Sequence, residues 1–244
     1  MLKLISYLAP SIPNDFFSLV AHRIEAATGV PTVVAFETRI SGPLEGDDDP
    51  FADGRADIGF ICSPSFPVLR RHSLIELLPL PVPLDARAEG RPVYFADVVV
   101  RAASPFRTFD DLRGKRWGFN DRNSKSGWFS MLERAGSEDF FARLLHSGSH
   151  LGSLELVLSG VIDAAAIDSN ALLLRQRLDP SLREQLRVVE TWGPFPIQPV
   201  IVRKDVAMKE QIADALLAMH ETDGAALAEL GFAGFAVGSE ESYL

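Results

Sequence analysis

Cysteine is nearly absent from this sequence: its 244 residues include one, Cys62. A single thiol can close no internal disulfide and build no multi-cysteine zinc site, so packing alone must hold the fold. Cys62 lies in an apolar run and reads as a buried, inert thiol. Basic charge is also scarce. Lys and Arg number 24 against 33 Asp and Glu, for a formal net charge of −9. That excludes a general nucleic-acid binder, whose affinity comes from cations clustered on phosphates. It does not exclude one small anion, for which a few local donors decide the matter. No stretch approaches the roughly 18–20 apolar residues of a membrane span. The opening segment through Pro10 is too short and too interrupted for a secretory leader and reads as a first strand. The chain is therefore expected to be either cytoplasmic or a mature form numbered without its leader.

Catalytic signatures are missing as well. There is no G-x-S-x-G elbow, no P-loop and no G-x-G-x-x-G fingerprint. Ser126, His150 and Asp168 come in an order that none of the usual triads uses. His146 and His150 are four apart, but Gly148 falls between them and no third zinc ligand is evident. Asp47, Asp48 and Asp49 lack the spacing of a calcium loop and read as a solvated turn. No metal, cofactor or catalytic residue is expected.

What the chain does have is 47% apolar residues, enough for a sizeable core, in a β/α alternation. Strands are expected over 2–8, 32–36, 57–62, within 74–82, and over 93–100, 116–119, 163–167, 187–191 and 199–203. Helices are expected from Pro13 to the stop at Gly29, and over 64–71, 127–135, 138–145, 151–159, 169–177, 180–186, 209–219 and 224–230. A Gly/Pro loop is expected at 193–196 and a Gly/Ser-rich tail at the end. Pro79, Pro81 and Pro83 mark an edge segment. The pattern predicts an α/β protein with mainly parallel sheets. The long strands near 93–100 and 197–203 leave and re-enter the first β/α block. Lobe 1 is then discontinuous, residues 1–94 plus 198–244, and lobe 2 is 95–197, with the ligand cleft between them.

Three segments carry chemistry. Phe119-Asn-Asp-Arg-Asn-Ser-Lys-Ser-Gly-Trp128 joins a strand to a helix. The first turn of a helix offers unpaired N–H groups and partial positive charge, to which Ser124 and Ser126 add hydroxyls. Gly127 would let a ligand approach the backbone. An ordinary N-cap by Ser124 or Ser126 is the competing account. Ser147-Gly-Ser-His150 is again small and polar before a helix, with His150 either a donor to an oxyanion or a helix cap or satisfied surface residue. Asp168 ends the small-residue run 160–168, as a helix N-cap, a ligand contact or both.

The blocks "DGRADIGFICSPSF" (53–66), "YFADVVVRAASPFRTFDDLRGKRWGFNDRNSKSGW" (94–128), "GSHLGSLELVLSGVIDAAAIDS" (148–169) and "PIQPVIVRKDV" (196–206) follow in the order of one family. They resemble the phosphate/phosphite/phosphonate-type substrate-binding proteins of ABC transporters, a branch of the type II periplasmic-binding-protein fold. The resemblance implies a two-lobed, hinged α/β protein that closes on a small anionic ligand and works with a transporter permease outside the cytoplasm; a monomer is expected, because extensive subunit contacts would hamper lobe closure. It implies oxyanion contacts from Ser124, Ser126, His150 and the amides of Lys125 and Gly127. Tyr94 matches the aromatic that begins the crossing strand, and Asp168 the acid that can meet the distal end of the ligand. A tyrosine that many relatives carry after the second strand is missing. Arg39 or the Ser63-Pro-Ser65 turn would replace it, with Tyr7 as a further lobe 1 contact. The competing function is a cytoplasmic enzyme of vitamin- or quinone-precursor biosynthesis on the same fold.

Overall fold

The computed structural model describes residues 1–9, 11–37 and 42–244. The chain divides into two compact units, Met1–Val93 with Pro196–Leu244, and Tyr94–Phe195. The first stretch forms β1 (Leu2–Ser6), α1 (Asn14–Thr28), β2 (Thr32–Phe36), β3 (Ile58–Phe60), α2 (Ser65–His72), β4 (Ile75–Leu77) and β5 (Leu80–Pro83). The second unit holds β6 (Val93–Arg101), β7 (Arg116–Phe119), a wide turn of π-helix over Lys125–Phe129 running into α3 (Ser130–Ala135), and β8 (Arg143–His146). It continues with α4 (His150–Leu158), β9 (Ala164–Asp168), α5 (Ser169–Leu178), α6 (Leu182–Gln185) and β10 (Leu186–Pro196). The chain returns through β11 (Val200–Arg203), α7 (Lys209–Thr222), α8 (Gly224–Glu229) and β12 (Phe232–Ala236).

Unit 1 is built on a sheet in the order β2-β1-β3-β11-β4, parallel across β2, β1 and β3 and antiparallel where β11 enters. Helix α1 buries Phe16, Phe17, Val20, Ala21 and Ile24, the i, i+4, i+8 stripe of an amphipathic helix. It ends at Gly29, whose φ of 68° lets its N–H reach the Glu25 carbonyl. Among the described residues the proline-rich β5 pairs with β12 alone, in a two-stranded sheet, as an edge segment should.

Unit 2 has the order β10-β6-β9-β7-β8. Strand β7 runs parallel to β8 and β9, whereas the crossing strand β6 runs antiparallel to β9. Phe109, Trp117, Phe140, Phe141 and Trp192 form its aromatic core, with rings 4.8–6.2 Å apart. The small side chains of β9, Ala164-Ala-Ala-Ile-Asp168, are all buried.

Several expected elements differ. Residues 138–145 show a helical apolar spacing but fold as a short 3-10 turn, Glu138–Phe140, followed by β8. The aromatic core claims Phe140 and Phe141, and the backbone beyond them bonds to β7. The expected loop at 193–196 is part of the long strand β10. The span 74–82 is two strands, β4 and β5, rather than one, and the helix over 180–186 shrinks to α6. In the expected Gly/Ser tail, Phe232 and Phe235 form β12 because both pack on Phe16. Cys62, just past β3, is half-buried rather than buried, since it lies in the loop outside the strand.

Candidate functional site

In unit 2 the polar groups gather where β7 and β9 end. Past Phe119 the chain reaches Asn120, and Asp121 then closes a tight turn, accepting from the Asn123 amide at 2.6 Å with Oδ1 and from the Ser124 amide at 3.2 Å with its carbonyl. The helix that follows starts unusually wide: the Trp128 and Phe129 amides both donate to the Ser124 carbonyl, at 3.1 and 3.0 Å. Ser124 is the N-cap, its Oγ accepting from the Gly127 amide at 3.0 Å. That bond uses an oxygen lone pair and leaves the hydroxyl hydrogen for another acceptor. The first amides of a helix have no intrahelical partner; with Gly127 capped, those of Lys125 and Ser126 are the open donors of the turn. Capping and anion binding are thus compatible here.

The Ser147–His150 segment is tied to the same place. The Ser147 amide and hydroxyl both donate to the Phe119 carbonyl, at 2.9 and 3.0 Å, and Ser149 caps α4 by accepting from the Gly152 amide at 2.9 Å. His150, the first residue of α4, is 5% exposed, not a surface histidine. Its Nε2 lies 3.2 Å from Ser126 Oγ and 3.3 Å from Asn120 Nδ2, and its Nδ1 3.4 Å from the Asp168 amide. Burial pushes its pKa from the usual 6.5 down to about 4, against a smaller opposing pull from the Ala166 carbonyl. The ring is neutral at physiological pH. His146 is exposed, its ring 5.4 Å from that of Phe119, and it does not join His150.

Asp168, buried at the end of β9, caps α5: its Oδ1 accepts from the Asn170 and Ala171 amides at 2.8 and 3.4 Å. Tyr94, near the start of β6, is buried with its ring 5.7 Å from that of Phe195. Above Phe195, at 5.0 Å, stands the Lys125 ammonium, which also lies 3.6 Å from Glu133. Lys125 thus offers the turn its amide, while its charge is engaged elsewhere.

Unit 1 carries its own polar set at the ends of two paired strands. Tyr7 follows β1, buried, with its amide donating to the Phe60 carbonyl at 3.0 Å. Ser63 and Ser65 follow β3, and their hydroxyl oxygens are buried without a hydrogen-bond partner among the described residues. Arg39 lies outside the described residues.

Sequence reasoning missed Asn120. The residue is 8% exposed, and its Oδ1 has no partner among the described residues. A Cβ on Gly127 would fall 1.8 Å from this oxygen, so the carboxamide occupies the space that glycine leaves. The available signal was a polar residue placed directly after an apolar parallel strand, where α/β sheets meet ligands. Asn170, in the first turn of α5, has both side-chain amide atoms buried without a hydrogen-bond partner among the described residues.

Among known proteins, the chain is 26% identical over 166 residues to the phosphonates-binding periplasmic protein of Escherichia coli (strain K12), a match covering 63% of this chain and 49% of that protein. The chain thus matches about half the length of this curated relative. A binding-protein component of an ABC phosphonate transporter from Pseudomonas aeruginosa superposes with a TM-score of 0.79 at 15% identity, covering 99% of this chain and 82% of the other. A Prochlorococcus marinus (MIT 9301) protein solved with methylphosphonate gives 0.77 at 15% identity, covering 99% and 94%. These likenesses show the type II periplasmic-binding-protein fold. The family described as "ABC transporter, phosphonate, periplasmic substrate-binding protein" matches residues 4–243, nearly the whole chain, and to that family the chain belongs.

Proposed function

We propose that the protein binds a small tetrahedral oxyanion, a phosphonate or a close analogue, and delivers it to an ABC-transporter permease outside the cytoplasm. The observation that carries this reading is the first turn at Ser124–Gly127. Two hydroxyls and two open amides converge there beside the buried, neutral His150. Hydrogen bonds to an ionised oxygen contribute roughly 1.5–3 kcal/mol each. Four of them, after ordering costs, are consistent with micromolar affinity, about −8 kcal/mol. Tyr94 and Asp168 in unit 2 and Tyr7, Ser63 and Ser65 in unit 1 are the further ligand contacts of this reading, and the protein acts as a monomer. Binding is favoured over catalysis because the family is one of transporter binding proteins and because the ring paired with Ser126 Oγ at 3.2 Å has its Nδ1 facing the Asp168 amide rather than an orienting carboxylate.

Isothermal titration and thermal shift with methylphosphonate, 2-aminoethylphosphonate, phosphite, phosphate and methanesulfonate test the proposal. At least one should bind, and Ser126→Ala should weaken it by about tenfold or more, the loss of one charge-assisted bond. If none shifts the melting temperature at millimolar concentration, the reading fails.

A further inference from the structure

If unit 2 holds an oxyanion, the groups around its turn constrain how many charges and protons that oxyanion carries. Lys125–Ala135 is one continuous helix, and into its mouth projects a carboxamide whose oxygen has no partner among the described residues. Asn120 Oδ1 takes the place of a Gly127 Cβ, and Ser124 Oγ lies 3.3 Å from that same point. A carbonyl oxygen only accepts. Beside a fully ionised phosphonate, whose oxygens carry no hydrogen, it would meet lone pairs; beside a P–OH group it gains a hydrogen bond.

The charges point the same way. Among the described residues, no cationic side chain of unit 2 is directed at the turn. From α4, His150 presents a neutral imidazole between Asn120 and Ser126. On the turn itself, the Lys125 ammonium faces Phe195 and Glu133. In the preceding loop Arg122 lies over the Trp128 ring at 4.2 Å and pairs with Glu138 at 2.8 Å. From β8, His146 is exposed against Phe119. From β9, the buried Asp168 turns its Oδ1 to the first amides of α5. What remains is the partial charge of the helix mouth, about half a unit, and neutral donors. One ligand charge is well served by these; a second would find no cationic partner among the described residues of unit 2.

We propose that the Ser124–Gly127 turn selects the singly charged, protonated form of a tetrahedral oxyanion, with Asn120 Oδ1 accepting the hydrogen bond from the ligand's hydroxyl. This inference rests on the oxyanion reading above and adds to it a protonation state and a residue.

The test is titration calorimetry on the full chain with two probes of one shape, methylphosphonate, which ionises twice, and methanesulfonate, which ionises once. Methylphosphonate affinity should fall about tenfold per pH unit above its second ionisation, while methanesulfonate affinity stays flat. Below that ionisation both are monoanions, and methylphosphonate should bind about tenfold tighter through its extra hydrogen bond. Asn120→Leu should collapse this difference between the probes. Affinity for methylphosphonate that is level or rises through the second ionisation overturns the proposal, as does an Asn120→Leu protein that keeps the difference. Should that variant not fold, the wild-type profiles of the two probes decide alone. Absence of binding at every pH by both probes and by 2-aminoethylphosphonate, phosphite and phosphate would instead refute the oxyanion reading itself.

Discussion

Replacing Gly127 with alanine separates two opposed effects at one atom. On helix propensity alone the change should stabilise the protein by up to about 1 kcal/mol. Against it stands the Asn120 carboxamide, with Oδ1 1.8 Å and Cγ 2.9 Å from the new methyl carbon. Those distances are far inside van der Waals contact, so Asn120 must move by more than an ångström. It cannot swing into water, being 8% exposed and set 3.3 Å from His150 Nε2. Overpacking of this kind costs roughly 1–3 kcal/mol, and breaking the contact with His150 about 1 more. Gly127→Ala should therefore destabilise by about 1–3 kcal/mol net of the propensity gain. The informative experiment is a double-mutant cycle by urea unfolding. In an Asn120→Ala background the methyl group has room, and Gly127→Ala should become neutral or stabilising, a coupling of at least about 1 kcal/mol. Equal effects of Gly127→Ala in both backgrounds would show that the carboxamide does not occupy that space, and the account of the turn would fall.

Two further outcomes follow from buried groups. His150 keeps its neutral form down to about pH 4 in the folded chain, whereas an unfolded histidine takes up its proton near 6.5. Its contribution is fully present above pH 6.5 and is lost as pH falls from there to about 4, about 3 kcal/mol in all. His150→Gln should flatten stability against pH by that amount across this window; an unchanged slope would show that the ring is not held neutral. Tyr243, whose buried hydroxyl donates to the Ile197 carbonyl at 2.5 Å, has its pKa raised by burial. Tyr243→Phe keeps the ring packing on Phe66 but leaves that carbonyl bare, at about 1–2 kcal/mol in chemical unfolding; a loss under about 0.3 kcal/mol would refute the role given to this bond.

Local pattern made much of the molecule legible. The stripe Phe16, Phe17, Val20 and Ile24 required α1, Gly29 required its end, and the small residues of 164–168 required a strand packed on both faces. Such features depend on the period of side chains along a few turns of backbone, and neighbouring residues carry that information. The segments before two helices singled out Ser124, Ser126 and His150, and the fold brings Ser126 Oγ to 3.2 Å from His150 Nε2 across 24 residues of chain, with Ser124 Oγ 3.5 Å from Ser126 Oγ.

Where pattern failed, distant residues competed for the same atoms. Residues 138–145 have a helix's spacing, yet an aromatic core built from Phe109 and Trp117 takes Phe140 and Phe141 and leaves β8 to the sheet. The C-terminal Phe232 and Phe235 became a strand because Phe16, more than 200 residues earlier, offered them a surface. The same holds for the site. Nothing beside His150 in the chain says that its ring is buried and neutral, and nothing beside Asn120 says that it fills the space above Gly127. Burial and electrostatic environment are summed over everything within several ångströms, and only the folded chain assembles those neighbours.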